Sequence, residues 1–501
     1  MKSLRKIAIV GGGSSGWMTA ALLSRLLQGL YEVTLIESEE ISTIGVGEAT
    51  IPAIKKYNEL LGLDENEFMQ RCQASFKLGI QFEGWKDGHD KYVHGFGVIG
   101  QDLELLRLHH YWLKMHAQGR ADPLANFSIN TASVAANKFV RAQPNMGESP
   151  LGHIVHAFHM DASLFAKFLS GYAQDRGVKR REGMVVDVTL RGGDGFIESV
   201  TMDDGEVICA DLFVDCSGFR AILIEGALQT GFDDWSHWLP CDRAIALPCA
   251  RNDENFNPYT RSIAHSAGWQ WRIPLQHRTG NGHVYSSAYM DDDAAEAILR
   301  GNLDGETLAE PNRIRFKAGK RRKLWNKNCV AVGLAGGFLE PLESTSLHLV
   351  HSGIVRLVRL LPDAGFDKAN INEFNRQSNL EYERIRDFII LHYKATERND
   401  TPFWNYCRTM EVPDTLQRKF DLWMANGRVF LEEEELFSDE SWIQVFLGQG
   451  VIPRGYDPLV NLKSDAQIAQ YLGNITTTIG KCVDVMPSHA EFVAKTCPAA
   501  A

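Results

Sequence analysis

The sequence predicts a mixed α/β protein, with a parallel sheet and its helices over residues 1–350 and a helix-rich part over 351–501. Three observations carry that expectation. A β-branched run, a glycine cluster and an apolar-periodic helix follow one another in "KIAIVGGGSSGWMTAALLSRLL", residues 6–27. Short strands alternate with Gly-Gly-Asp-Gly and Asp-Asp-Gly turns in "GMVVDVTLRGGDGFIESVTMDDGEVICADLFVDCSG", residues 183–218. A second strand–glycine–helix unit, "NKNCVAVGLAGGFLEPLESTSLHLVHSGIVRLVRLL", closes this part at residues 326–361.

The first unit has a specific chemistry. Gly11, Gly13 and Gly16 fit G-x-G-x-x-G, with Ser14 and Ser15 opening the helix between them. The first glycine permits a tight turn, the second a close backbone approach to a pyrophosphate, the third close helix–strand packing. The helix N-terminus then offers partial positive charge to phosphate. "YEVTLIE" follows as a buried strand ending at Glu37, about 20 residues on, where an acid bonds ribose hydroxyls. Strand, glycines, helix, strand and acid in this order predict a Rossmann-like dinucleotide site. Asp161 and Gly177 then bracket a helix as N-cap and stop, and the meander follows. A closing glycine–helix unit beyond a meander resembles FAD-dependent hydroxylase-type flavoproteins, and so favours FAD over NAD.

Composition bounds the rest. The chain has 501 residues and net charge −11, without long runs of one sign, which argues against a nucleic-acid face. No stretch reaches the roughly 18 apolar residues of a membrane span. Nine scattered cysteines, without C-x-x-C or zinc spacing, read as reduced thiols and predict a cytoplasmic protein without a structural metal.

"WQWRIP", residues 269–274, places Trp269 and Trp271 on one face of a strand ended by proline. Alone, that reads as aromatic core. Together with "GGGSSGW", "IGVGEATIP" (residues 44–52) and "FLEPLESTS" (338–346), it resembles the flavin-dependent halogenases of the tryptophan/indole branch, from residue 4 to about 460. The resemblance implies FAD, used as FADH2 and held by the first-unit residues with Ala49, Val185 and Leu334. It implies a chloride or bromide held by the backbone of Thr345 and Ser346, where Ser346 replaces a more usual glycine. Hypohalous acid would pass a tunnel walled by Trp269 and Trp271 to Lys77, with Glu343 assisting as base. His94 and Phe96 would stack the ring, and Phe437 would face it where a tryptophan is usual.

Family members acting on free tryptophan have tyrosines near this cap, whereas no tyrosine occurs between Cys407 and Gly455. Indole or a simple indole is therefore expected rather than tryptophan. Residues 60–150 are expected to be an inserted substrate-site segment. A separate flavin reductase would supply FADH2, and a homodimer stays open. An FAD-dependent aromatic monooxygenase, an idle flavin-binding protein, and tryptophan itself as substrate are the alternatives.

Overall fold

The structure, a computed structural model, describes residues 4–39, 48–363 and 365–499. Residues 44–47, the first part of "IGVGEATIP", lie outside these. Strand Lys6–Val10, helix Ser14–Leu27 and strand Glu32–Glu37 form the expected first unit. The apolar run of Lys6–Val10 is buried from its second residue onward, as suits a parallel strand covered on both faces. It sits inside a six-stranded sheet of order Trp325–Asn326, Cys329–Ala331, Leu212–Asp215, Lys6–Val10, Glu32–Glu37, Lys179–Glu182, antiparallel only at the first strand. Helix Ala162–Gln174 packs against helix Ser14–Leu27 and is capped by Asp161, whose side chain accepts from the Ser163 and Leu164 amides. The meander is present as strands Val185–Leu190, Ile197–Met202 and Val207–Cys209.

A second, larger sheet carries the aromatic strand. Its order is Asn312–Arg315, Arg243–Ala246, Arg278–Tyr285, Gly268–Pro274, Thr260–His265, Gly79–Glu83, Lys91–Gly95. Two strands of the 60–150 segment therefore extend this sheet. Gly79 and Gly95 face each other across the last pair, and a Cβ on Gly79 would lie 2.4 Å from His94 O, so the bare backbone sets this spacing.

The C-terminal part is helical: Lys368–Lys394, Pro402–Thr409, Asp414–Asn426, Asp439–Gly448, Asp465–Asp484 and His489–Thr496. The boundary drawn at 350 falls inside helix Ser346–Arg359, which packs on Lys368–Lys394. One apolar cluster runs from Leu4 to Cys497, so the helical part shares its core with the sheets. Among the described residues no helix is long and apolar enough to cross a membrane.

Candidate active site

The two glycine units meet at a cavity of about 1140 Å³, somewhat above the usual range of small-ligand sites. Gly11, Gly13, Ser14, Ser15, Glu37, Ala49, Val185 and Leu334 all line it. Gly16 does not: it packs beneath, where a Cβ would meet Gly11 O at 1.8 Å. Gly12, not singled out by the motif, is equally constrained, since a Cβ there would meet Glu37 Oε2 at 1.6 Å. The helix starting at Ser14 has Gly13 at its N-cap and no side-chain cap, which leaves its first amides for an anion. Glu37 is held by Trp17 Nε1 at 3.2 Å and Arg180 Nε at 2.5 Å. These residues fit a dinucleotide: a phosphate seat at the helix start and a placed carboxylate beside it.

At the other end of the cavity the chain turns sharply. Pro341–Glu343 forms one 3-10 turn, Ser344 adopts left-handed φ 59°, and helix Ser346–Arg359 begins after Thr345. A non-glycine residue held there is a local strain of the kind found at functional sites. The kink separates two directions. Ser344 and Ser346 line the large cavity, whereas Glu343 is buried on the side of the capping helices. Thr345 is buried, and its hydroxyl oxygen has no hydrogen-bond partner.

Lys77 ends strand Ser75–Lys77, fully buried. Its Nζ donates to Ser344 Oγ at 2.8 Å and lies 5.5 Å from the centre of the Phe96 ring. Desolvation lowers its amine to about 7, with Glu343 opposing the shift. Glu343 is likewise fully buried. Burial would raise its carboxyl, but the charge of His94 and the hydrogen bonds of His392 and His94 outweigh that and hold it at about 2. His94 Nδ1 lies 3.0 Å from both carboxylate oxygens, and His392 Nε2 lies 2.9 Å from Oε1. Ser344 is thus the shared wall between the flavin-type cavity and a buried amine–carboxylate site whose carboxylate is held ionised.

Trp269 and Trp271 divide the wall between them. Trp271 lines the cavity; Trp269 donates its Nε1 to Glu340 Oε2 at 3.0 Å, and Tyr393 donates to the same oxygen at 2.5 Å. Burial raises the Glu340 carboxyl to about 7 against those two hydrogen bonds, so Glu340 anchors the aromatic strand. Gly282 permits the Trp271 pose, because a Cβ there would lie 2.0 Å from its Cζ2 atom. Gly282→Ala is therefore expected to lower unfolding stability by about 1–3 kcal/mol through overpacking. Urea titration would show it, and an unchanged midpoint would mean the ring relocates freely.

Around the ring-binding end, Phe437 lies face to face with Phe388 at 3.9 Å and 6.2 Å from His94. The His94 and Phe437 planes are tilted 54° to each other, so the two rings do not form a parallel slot. Gln444, on helix Asp439–Gly448, accepts from the Gly95 amide at 2.9 Å and donates to its carbonyl at 3.0 Å, tying this cap to the His94 strand. The four consecutive acids Glu432 to Glu435 are tied down too. Glu432 pairs with Arg384 and Arg418, Glu433 with Arg376, Glu434 with Arg356 and Glu435 with Lys419.

The tryptophan halogenase family profile matches residues 6–465. The chain is a flavin-dependent halogenase of that family. It is 45% identical to Xcc4156, a flavin-dependent halogenase from Xanthomonas campestris, with TM-score 0.96 and full coverage of both chains. BrvH, a flavin-dependent halogenase from Brevundimonas sp. BAL3, gives 45% identity and TM-score 0.95 over 99% of each. Tryptophan 6-halogenase ThaL from Streptomyces albogriseolus is 34% identical over 98% of each chain. The halogenase accordingly acts on an aromatic substrate, and its family implies FAD and a halide. His392, Gly282, Gln444 and the Glu340 anchor escaped the sequence reading; "DFIILHYK" gave a helix but no reason to single out His392.

Proposed function

We propose that this halogenase places chlorine or bromine on an uncharged, indole-type ring, with Lys77 presenting the electrophile and Glu343 removing the ring proton. The observation that carries this reading is the Ser344 wall: this residue borders the flavin-type cavity, and its hydroxyl accepts from Lys77. When bound, reduced FAD would react with dioxygen to supply the oxidant and the oxygen atom that convert halide to hypohalous acid. The amides of Thr345 and Ser346, at the start of a 14-residue helix, seat the halide beside the cavity. Trp269 and Trp271 keep the organic ring away from the flavin. Lys77, half-neutral near pH 7, holds the halogen by hydrogen bond or as a haloamine. Glu343, ionised, takes the proton released as the ring regains aromaticity. His94, Phe96 and Phe437 position the ring, and a separate reductase delivers FADH2.

The four paired glutamates support an uncharged substrate. Each already neutralises a cation of this chain, so none is free to hold a substrate ammonium, and burying an unpaired ammonium is costly. With FAD, a reductase and bromide, mass spectrometry should show indole preferred over free tryptophan by about 100-fold in kcat/KM or more. Preference for tryptophan would refute the substrate reading, and hydroxylated product would refute the halogenation step.

A further inference from the structure

Of the two histidines on Glu343, His392 reaches it from the helical part of the chain. His392 sits near the C-terminal end of helix Lys368–Lys394 and is fully buried. Its Nδ1 lies 2.8 Å from the Phe388 carbonyl oxygen, four residues back. A carbonyl can only accept, so Nδ1 carries a hydrogen. The other nitrogen, Nε2, is buried with no aligned hydrogen-bond partner and lies 2.9 Å from Glu343 Oε1. In the neutral ring this nitrogen would carry partial negative charge, which is unfavourable 2.9 Å from a carboxylate oxygen even off the lone-pair axis. The contact is favourable only when a second hydrogen sits on Nε2.

We infer that His392 is a positioning residue, held as an imidazolium by Phe388 O on one side and Glu343 on the other, that keeps Glu343 ionised and aimed for proton removal. The inference rests on Glu343 as the base and adds the group that makes it one. The titratable groups around the pair are His94 and Tyr92 on strand Lys91–Gly95 and Lys77 on strand Ser75–Lys77. The remaining ring neighbours of His392, Phe82, Trp85 and Phe388, carry no charge. Nothing else among these touches Oε1 from the helix side, so His392 supplies the positive charge there. In the step itself the ring C–H bond breaks, its electron pair returns to the ring and the proton goes to a Glu343 oxygen. The Nε2–H bond stays intact. Glu343 then loses that proton to water after product leaves.

The full-length protein with 15N-labelled histidine tests this without substrate. The His392 signals are identified by their loss in His392→Gln, or in His392→Asn if the first variant fails to fold. Both ring nitrogens should be protonated at pH 7, and Nε2 should lose its hydrogen in Glu343→Gln. A neutral His392 ring at pH 7 in the unmodified chain would overturn the inference. The second arm is the pH profile of indole bromination. In folded His392→Gln the acidic limb should move up by about one pH unit or more, because the buried carboxyl loses a neighbouring cation. KM for indole should stay within two-fold of the original, roughly the margin expected when ring contacts are untouched. An acidic limb that does not move overturns the inference. If the unmodified protein fails to brominate indole, the substrate reading fails, while the nitrogen signals still judge His392.

Discussion

Lys77→Met is expected to abolish halogenation and at the same time stabilise the fold. The two effects have one cause. Strand Ser75–Lys77 places an amine where no water reaches it, with Ser344 Oγ as its hydrogen-bond acceptor, and desolvation lowers it to about 7. An unfolded lysine keeps its proton to about 10.4. Between these values the unfolded chain binds more protons than the folded one, so stability of the unmodified protein rises with pH from about 7 to 10.4. At and below pH 7 the full cost is present, on the order of 4 kcal/mol with the opposing charge of Glu343 already included. Methionine fills similar space without that cost. Thermal melts should therefore place the variant above the unmodified protein at pH 7, with the gap closing toward pH 10. Chloride or bromide incorporation, followed by mass spectrometry, should fall to background. Retained turnover would remove Lys77 from the mechanism. Lost turnover with a lower Tm would mean the amine supports the fold rather than being tolerated for function.

Legibility from sequence divides along contact range. The glycine unit, the meander, Asp161 as a cap and the Trp269/Trp271 strand are local patterns, and each appears where its residues predict it. The site is built from pairs far apart in the chain. Lys77 meets Ser344 across 267 positions, His94 meets Glu343 across 249, and Gln444 meets Gly95 across 349. Periodicity and turn chemistry carry no information about such pairs. His94 illustrates the consequence. As half of a His-x-Phe pair it was expected to stack a substrate ring, yet its Nδ1 is committed to the Glu343 carboxylate. The nitrogen therefore has a role separate from the stacking expected of the ring face, and the sequence held no sign of it. Gly282 and Gly12 were unreadable for another reason: each is required by one side chain crossing over it, Trp271 and Glu37.

Glu343→Gln is the counterpart experiment, with the opposite sign in stability. In the native site the carboxyl is held at about 2, against an ordinary value of 4.5, because His94 and His392 outweigh burial. A depressed acid contributes stability that is present above about 4.5 and lost as pH falls toward 2, on the order of 3 kcal/mol at full strength. The amide forfeits it and turns an NH2 group toward one of two histidine nitrogens, so the variant should melt lower at pH 7 and converge on the unmodified protein as pH falls through 4. Turnover should drop by about 10²–10⁴-fold, the usual worth of a placed base. With the base gone, proton loss from the ring becomes the slow step, and ring-deuterated indole should react measurably slower in the variant alone. Lys77 changes too: Glu343 opposes its desolvation, so removing the carboxylate moves the amine further below 7. Any rise in activity above that pH in Glu343→Gln would report water or hydroxide taking over the base role. A folded variant with turnover within ten-fold of the original and no deuterium effect would show that the ring proton leaves by another route, and would leave the Glu343–His392 pair as an electrostatic support for Lys77.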